Sequence, residues 1–342
     1  MRVVVTGCNG MLGSHLVRRL CADGMAVRGV DLGPAGQSPS GVDHLRGDVR
    51  DPDVMARACE GADAVVHTAA ALPSYPADEI RSVIVDGTST VLTAAQAAGV
   101  GRLVHVSTTA VYGLPTVVPT MEEHPREPVD AYGRAKVAAE EVCEGFRAGG
   151  LCVPVLRPKT FVGAGRMGLF AMLFEWADEG RHFPVLGRGD VRIQMCAMSD
   201  LLDCVVTVLE ADAAVAGDTY NVAAAEFGTL REDFQAVLDA AGHGRRVVSV
   251  PARPALAALE LLRRLRLSPV YGRLLHKLLA DSYVSTDKAR RRLGFVPRLS
   301  NREALLQAYA WWRQRPAEPV RSGRTSREPW RQGLLGAAKA FF

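Results

Sequence analysis

The sequence predicts an α/β protein in which a doubly wound parallel sheet is followed by a smaller, mostly helical C-terminal lobe. Two patterns lead there. Over the first 160 residues short β-branched runs alternate with longer helical stretches, as in successive βαβ units, whereas beyond them isolated short strands stand among helices. The strands are continuous apolar runs, such as Val3-Val4-Val5 and Ala64-Val65-Val66, which is the pattern of strands covered by helices on both faces. Right-handed crossovers between such strands wind the sheet in both directions.

Taken in order, strand 2–6 begins at once, so no charged leader with a cleavable apolar segment is expected. Helix 11–23, strand 26–31, a short third strand before Asp48, helix 52–60 and strand 63–68 follow, and then helix 78–98 and strand 102–107. Helix 131–148 is marked by Ala135, Ala138, Ala139, Val142 and Phe146, close to a period of 3.6, and strand 151–157 completes the series. Short strands near 182–186, 218–222 and 246–250 belong to the lobe. The chain divides at about 160 and 315, the sheet being free to draw strands from both parts, and 316–342 is a basic tail expected to be poorly ordered. No repeat of 20–50 residues is present, which excludes solenoids and propellers.

Composition narrows the class. Of 342 residues 48% are hydrophobic and 23% charged, the balance of a soluble globular protein. No apolar run reaches the roughly 18 residues of a membrane span, so no stable membrane insertion is expected and a cytoplasmic protein is the default. Seven scattered cysteines, none spaced C-x-x-C, imply neither a disulfide framework nor a metal site. The net charge is +4, of which residues 313–342 supply +5 (six Arg and one Lys against two Glu). The body therefore offers no nucleic-acid surface, while the tail suits an acidic partner or a membrane surface.

After the first strand stands Thr6-Gly7-Cys8-Asn9-Gly10-Met11-Leu12-Gly13, opening a helix. Gly7 permits a tight turn, Gly10 a close approach of backbone to a pyrophosphate, and Gly13 close helix–sheet packing, with helix N-terminal amides aimed at the anion. Asp31 ends the second strand, where a carboxylate accepts hydrogen bonds from ribose hydroxyls and repels a 2′-phosphate, and Leu32 rather than an arginine follows. NAD is thus expected in preference to NADP. Asp48-Val49 lie where adenine would rest, although Asp48 is equally placed to cap the helix near Pro52.

Tyr132 and Lys136 stand four apart on one helical face. A neighbouring ammonium favours phenolate, which brings a phenol toward working range as an acid–base group. Upstream, Ser107-Thr108-Thr109-Ala110-Val111-Tyr112-Gly113 follows a strand. The TGxxGxxG string, His67-Thr68-Ala69-Ala70, the ST-x-x-VYG segment, the YxxxK pair and Leu156-Arg157-Pro158 resemble, in order and spacing, the extended short-chain dehydrogenase/reductases. That family includes nucleotide-sugar epimerases and dehydratases and 3β-hydroxysteroid dehydrogenases. The likeness runs over about residues 1–315, ending with Asp287-Lys288-Ala289-Arg290 to Leu293-Gly294-Phe295.

The resemblance implies a Rossmann sheet holding NAD and a catalytic set of Thr108, Tyr132 and Lys136. Cofactor contacts are implied at Gly7, Asn9, Gly10, Met11, Leu12, Gly13, Asp31, Asp48, Val49, Thr68, Ala69, Ala70, Tyr132, Lys136 and Pro158. Read alone, Thr108 is equally a strand-end hydroxyl bonding its own backbone. On the substrate side stand Leu72, Thr109, Thr160 and Arg192, with Arg166 and Arg188 as further phosphate partners or plain surface charges. The family's dehydratases carry Asp-Glu after the catalytic Thr where this chain has Thr109-Ala110, so dehydration is not expected. The asparagine of the 4-epimerases is replaced by Thr160, and the usual Asn before Gly87-Thr88 by Ile84. Apolar residues from Pro254 to Leu262 and from Leu274 to Leu279 are either a hydrophobic lid or lobe core. Phe183 to Asp190 and Ser199-Asp200-Leu201-Leu202 resemble the epimerase/dehydratase branch. The expected function is NAD-dependent epimerisation of a sugar or nucleotide-sugar by a homodimer. The alternatives are an NAD-dependent dehydrogenase or ketoreductase of a hydrophobic secondary alcohol, resembling the 3β-hydroxysteroid enzymes, and a non-catalytic NAD-sensing protein. The last is disfavoured by the intact Tyr132 and Lys136.

Overall fold

The computed structural model describes residues 1–35, 41–114, 117–165, 169–254, 256–257, 279–315 and 339. The first part of the chain forms β1 (Arg2–Thr6), α1 (Met11–Ala22), β2 (Ala26–Asp31), β3 (Asp43–Arg46), α2 (Pro52–Cys59), β4 (Ala64–His67) and α3 (Ala77–Arg81). A π-helical turn (Ser82–Asp86) joins α3 to α4 (Gly87–Ala97). Next come β5 (Arg102–Val106), a 3-10 turn (Thr109–Tyr112), α5 (Ala131–Ala148) and β6 (Val155–Pro158). The remainder holds β7 (Phe161–Val162), α6 (Leu169–Asp178), β8 (Phe183–Leu186), β9 (Cys196–Ala197), α7 (Met198–Glu210), α8 (Ala213–Ala216), β10 (Thr219–Val222), α9 (Leu230–Ala241) and β11 (Val247–Val250). Two further helices, α10 (Asp287–Leu293) and α11 (Asn301–Gln314), follow.

Seven parallel strands make one sheet in the order β10-β6-β5-β4-β1-β2-β3. Successive residues of each strand point to opposite faces, and both faces are apolar. Val3, Val5, Ala64, Val66, Val104 and Val106 pack with α1 and α7, whereas Val4, Val65 and Leu103 pack with α2 and α4. This is why the strands read as unbroken apolar runs. A second core joins α6, α9 and α11 to the parallel pair β8 and β11.

Two expectations are refined. The 218–222 strand does not stay in the lobe: Thr219 pairs with Val155, and β10 becomes the edge strand beside β6. Fully buried Tyr220 and Val222 lie in the same core as α7, burial that a lone strand in the lobe would not supply. The single helix expected over 78–98 contains a π-helical turn, and the Thr88 hydroxyl of α4 reaches back to the Ile84 carbonyl within it. The apolar stretch considered as a lid lies almost wholly outside the described residues, as do Arg166 and the basic tail apart from Lys339.

Candidate active site

Strand order reverses between β1 and β4, so a crevice opens at their carboxyl ends. Gly7 turns there with φ +68°, and a Cβ on it would stand 2.9 Å from both N and Cα of Ala69. Gly10 N donates to Gly7 O at 2.9 Å. A Cβ on Gly13 would lie 2.1 Å from that same carbonyl, so only glycine fits. Helix α1 begins at Gly10 without a side-chain cap, leaving its first amides and its positive dipole end turned toward the crevice. This cradle fits a pyrophosphate. Met11 and Leu12 are buried in the core, so they offer a ligand only their backbone.

Asp31 is held by two amides, Asn9 N and Gly33 N, each at 3.0 Å, while Asn9 Nδ2 donates to Pro34 O at 2.8 Å. The glycine loop and the end of β2 are thereby latched together. Leu32 is 64% exposed, and its carbonyl accepts Arg46 Nε at 3.0 Å. The helix cap falls to Asp51, which accepts Asp53 N and Val54 N, and not to Asp48. The Asp48 carboxylate instead takes the Arg50 guanidinium, which holds its pKa below the usual carboxylate value. Val49 is buried beside Gly87.

Asp130 caps α5 by accepting Gly133 N at 2.7 Å, which starts the helix just before Tyr132. Half-buried Tyr132 packs on the cluster of Ala71, Ile80, Ile84, Val85, Ala135 and Ala139. Lys136 is 3% exposed and donates from Nζ to Val106 O at 2.8 Å, at the end of β5. Burial lowers its pKa to about 8, against an opposing pull from the Glu140 carboxylate. Thr108, in extended backbone, accepts Ala110 N at 3.1 Å and opens the 3-10 turn. That bond uses a lone pair and leaves the hydroxyl proton to be donated. Just past the carboxyl end of β4, Thr68 Oγ1 donates to Thr6 O at 2.6 Å, which hangs the Thr68-Ala69-Ala70 segment on β1.

A buried ionic clamp surrounds this set. Glu140 accepts the Ser107 hydroxyl, Arg157 Nη2 at 2.6 Å and Nε at 3.0 Å, and Arg126 Nη1 at 3.2 Å. Arg157 Nη1 donates to Tyr112 Oη and to Glu122 O, both at 2.8 Å, and Tyr112 Oη donates to Asn221 Oδ1 at 2.8 Å. Glu140 and Arg157 are both almost fully buried, and against the opposing effect of burial the Glu140 carboxylate holds the Arg157 guanidinium above its ordinary pKa. The motif reading overlooked Glu140. Its signal was a carboxylate four residues beyond Lys136, on a face otherwise made of Ala135, Ala139 and Cys143.

On the substrate side, Leu72 is half-buried, Thr109 buried and Thr160 exposed at the end of β6, where its carbonyl accepts Cys196 N at 3.0 Å. Pro158 is buried within β6. Exposed Arg192 stacks its guanidinium 4.7 Å from the Phe227 ring centre and 5.4 Å from that of Tyr283. Among the described residues no cluster of His, Cys, Asp or Glu is arranged to hold a metal ion, and no helix is long and apolar enough to cross a membrane.

Residues 3–223 match the model of the NAD dependent epimerase/dehydratase family. Over 97% of its length the chain is 34% identical to the uncharacterized protein y4nG of Sinorhizobium fredii, covering 84% of that protein. It is 30% identical to the 3 beta-hydroxysteroid dehydrogenase/Delta 5→4-isomerase of Mycobacterium tuberculosis, with 91% of this chain and 90% of that one covered. Among solved structures it is similar to DesIV, a dTDP-glucose 4,6-dehydratase of Streptomyces venezuelae with NAD bound. The TM-score is 0.72 and the identity 28%, over 92% of this chain and 97% of that one.

Proposed function

We propose, from the premise that this chain belongs to the NAD-dependent epimerase/dehydratase family, that it epimerises a sugar or nucleotide-sugar by transient oxidation of a carbinol carbon to a ketone. The observation that carries this reading is the buried Lys136 ammonium, anchored on Val106 O one helical turn from Tyr132. NAD, when bound, supplies the acceptor and returning donor of hydride. Gly7, Asn9, Gly10, Met11, Leu12 and Gly13 would hold its pyrophosphate and Asp31 its adenosine ribose. Adenine would lie along Asp48-Val49 and the nicotinamide half along Thr68, Ala69, Ala70 and Pro158. Tyr132 takes the carbinol proton on its phenolate oxygen and gives it back to the ketone oxygen. Lys136 favours the phenolate through its charge, and Thr108 donates to the same substrate oxygen, where charge develops. Thr109-Ala110 provides no acid or base for dehydration, which separates this chain from the dehydratases it is similar to. Leu72, Thr109 and Thr160 would line the sugar, and the exposed Arg192 would face a phosphate.

A second reading, oxidoreduction of a hydrophobic secondary alcohol, is favoured by exposed Leu114, Val117, Met121 and Val129 between Thr108 and Tyr132 and by the likeness to the steroid dehydrogenase. One experiment separates the two. Purified protein is assayed for co-purifying NAD and then given a panel of nucleotide-sugars without added cofactor. Turnover supports the epimerase. Strict dependence on added NAD, with turnover of apolar alcohols only, would replace it by the dehydrogenase. We also place the protein in the cytoplasm as a homodimer, which light scattering of the full chain would test.

A further inference from the structure

The polar groups buried behind the crevice form one chain whose donors and acceptors can be ordered in a single way. On α4, the Thr88 hydroxyl donates to Ile84 O at 2.5 Å. A hydroxyl carries one proton, so the 3.1 Å contact of Thr88 Oγ1 with His67 Nε2 requires the proton to sit on Nε2. Burial keeps His67 neutral, its pKa pushed down to about 3, so Nδ1 is an acceptor. The 2.7 Å contact between Nδ1 and Thr6 Oγ1 therefore takes the Thr6 hydroxyl proton. The lone pairs of Thr6 Oγ1 are left to accept Thr68 N at 3.2 Å and Ala69 N at 3.4 Å.

Thr6 is the residue before Gly7, and the missing Cβ of Gly7 is what admits Ala69. One hydroxyl thus joins the two walls of the crevice, the turn at Gly7 and the segment at Thr68-Ala69. We infer that His67 is a positioning residue for the dinucleotide: as the Nε2–H imidazole braced by Thr88, it aims the Thr6 hydroxyl and so sets the gap between Gly7 and Ala69. The inference rests on NAD lying at the glycine loop, as proposed above, and not on the identity of the substrate.

The test uses the full chain with NAD as the probe. Calorimetric binding is measured for the wild type, Thr6→Ser, Thr6→Val and Thr88→Val, alongside thermal melting and long-range proton–nitrogen NMR of the histidine side chains at pH 7. His67 should carry its proton on Nε2. Thr6→Ser should bind NAD within about twofold of the wild type, while Thr6→Val and Thr88→Val should each lose about tenfold, the scale of one net hydrogen bond. Lower melting temperatures with unchanged NAD affinity would overturn the inference, as would a proton on Nδ1. If Thr6→Val does not fold, Thr88→Val and the NMR measurement decide. Wild-type protein that takes up no NAD would instead sink the placement of the cofactor, an outcome distinct from tight binding that ignores these substitutions.

Discussion

At Lys136 two demands conflict, since the ammonium that is to tune Tyr132 is almost fully buried and its charge is opposed by that burial. Its folded pKa, about 8, lies below the ordinary 10.5, so between these values the unfolded chain binds more protons and stability rises with pH. Below pH 8 the burden is fully present. Lys136→Met should therefore raise the stability of the cofactor-free protein at pH 7 by roughly 1–3 kcal/mol while removing activity, a trade of stability for function. In melting curves the gain should shrink between pH 8 and 10.5, and a variant less stable than the wild type at pH 7 would contradict the account. At Tyr132 the expectation differs. Tyr132→Phe should bind NAD as the wild type does and lose roughly 100-fold or more in turnover, as for removal of an acid–base group. Single-turnover kinetics with whichever substrate the panel identifies would check this, and full activity would refute the role.

Among the elements, α5 is fastened to β5 and β6 by the pair Glu140–Arg157, which also holds Ser107 beside Thr108 and Tyr112 at the end of the 3-10 turn. Removing one partner leaves the other as an unpaired buried charge. Glu140→Ala is therefore expected to cost about 3–5 kcal/mol, whereas Glu140→Met with Arg157→Met together should cost less than the two single changes summed. Urea unfolding of the four proteins in the cycle gives the coupling, and strict additivity would mean that the clamp is not a unit. A neighbouring feature works in the opposite sense. His105, on β5, is fully buried and finds no hydrogen-bond partner for either ring nitrogen among the described residues.

For the whole molecule, two buried imidazoles shape the response to acid. His67 and His105 lie on adjacent strands with ring centres 5.6 Å apart, and burial first, then the Lys136 charge, pushes both pKa values down. With the folded pKa of His67 at about 3 against an ordinary 6.5, the unfolded chain binds more protons in that window. Stability therefore falls as pH drops from 6.5 toward 3. His105→Phe removes one titrating group and an unsatisfied polar ring, so it should flatten the acid limb of urea midpoints between pH 6.5 and 4 and leave pH 7 stability equal or higher. A steeper acid limb in this variant would rule the explanation out.

Periodicity and local spacing by themselves determined most of the architecture. The apolar runs marked the strands, the 3.6 period marked α5, and the glycine spacing marked the turn whose missing side chains the structure requires at Gly7 and Gly13. The same spacing placed Tyr132 and Lys136 on one face, because a helix repeats over four residues whatever surrounds it. What only the tertiary structure decided are the pairings between distant segments. Glu140 meets Arg157 across 17 residues, Thr6 meets His67 across 61, and Tyr112 meets Asn221 across 109. Asp51 rather than Asp48 caps α2 because Arg50 captures Asp48, and β10 joins the sheet because Tyr220 and Val222 find their core there. Burial periodicity states which side of an element faces inward. The partner a buried polar group finds depends on how the elements pack, and that is settled only when the whole chain has folded.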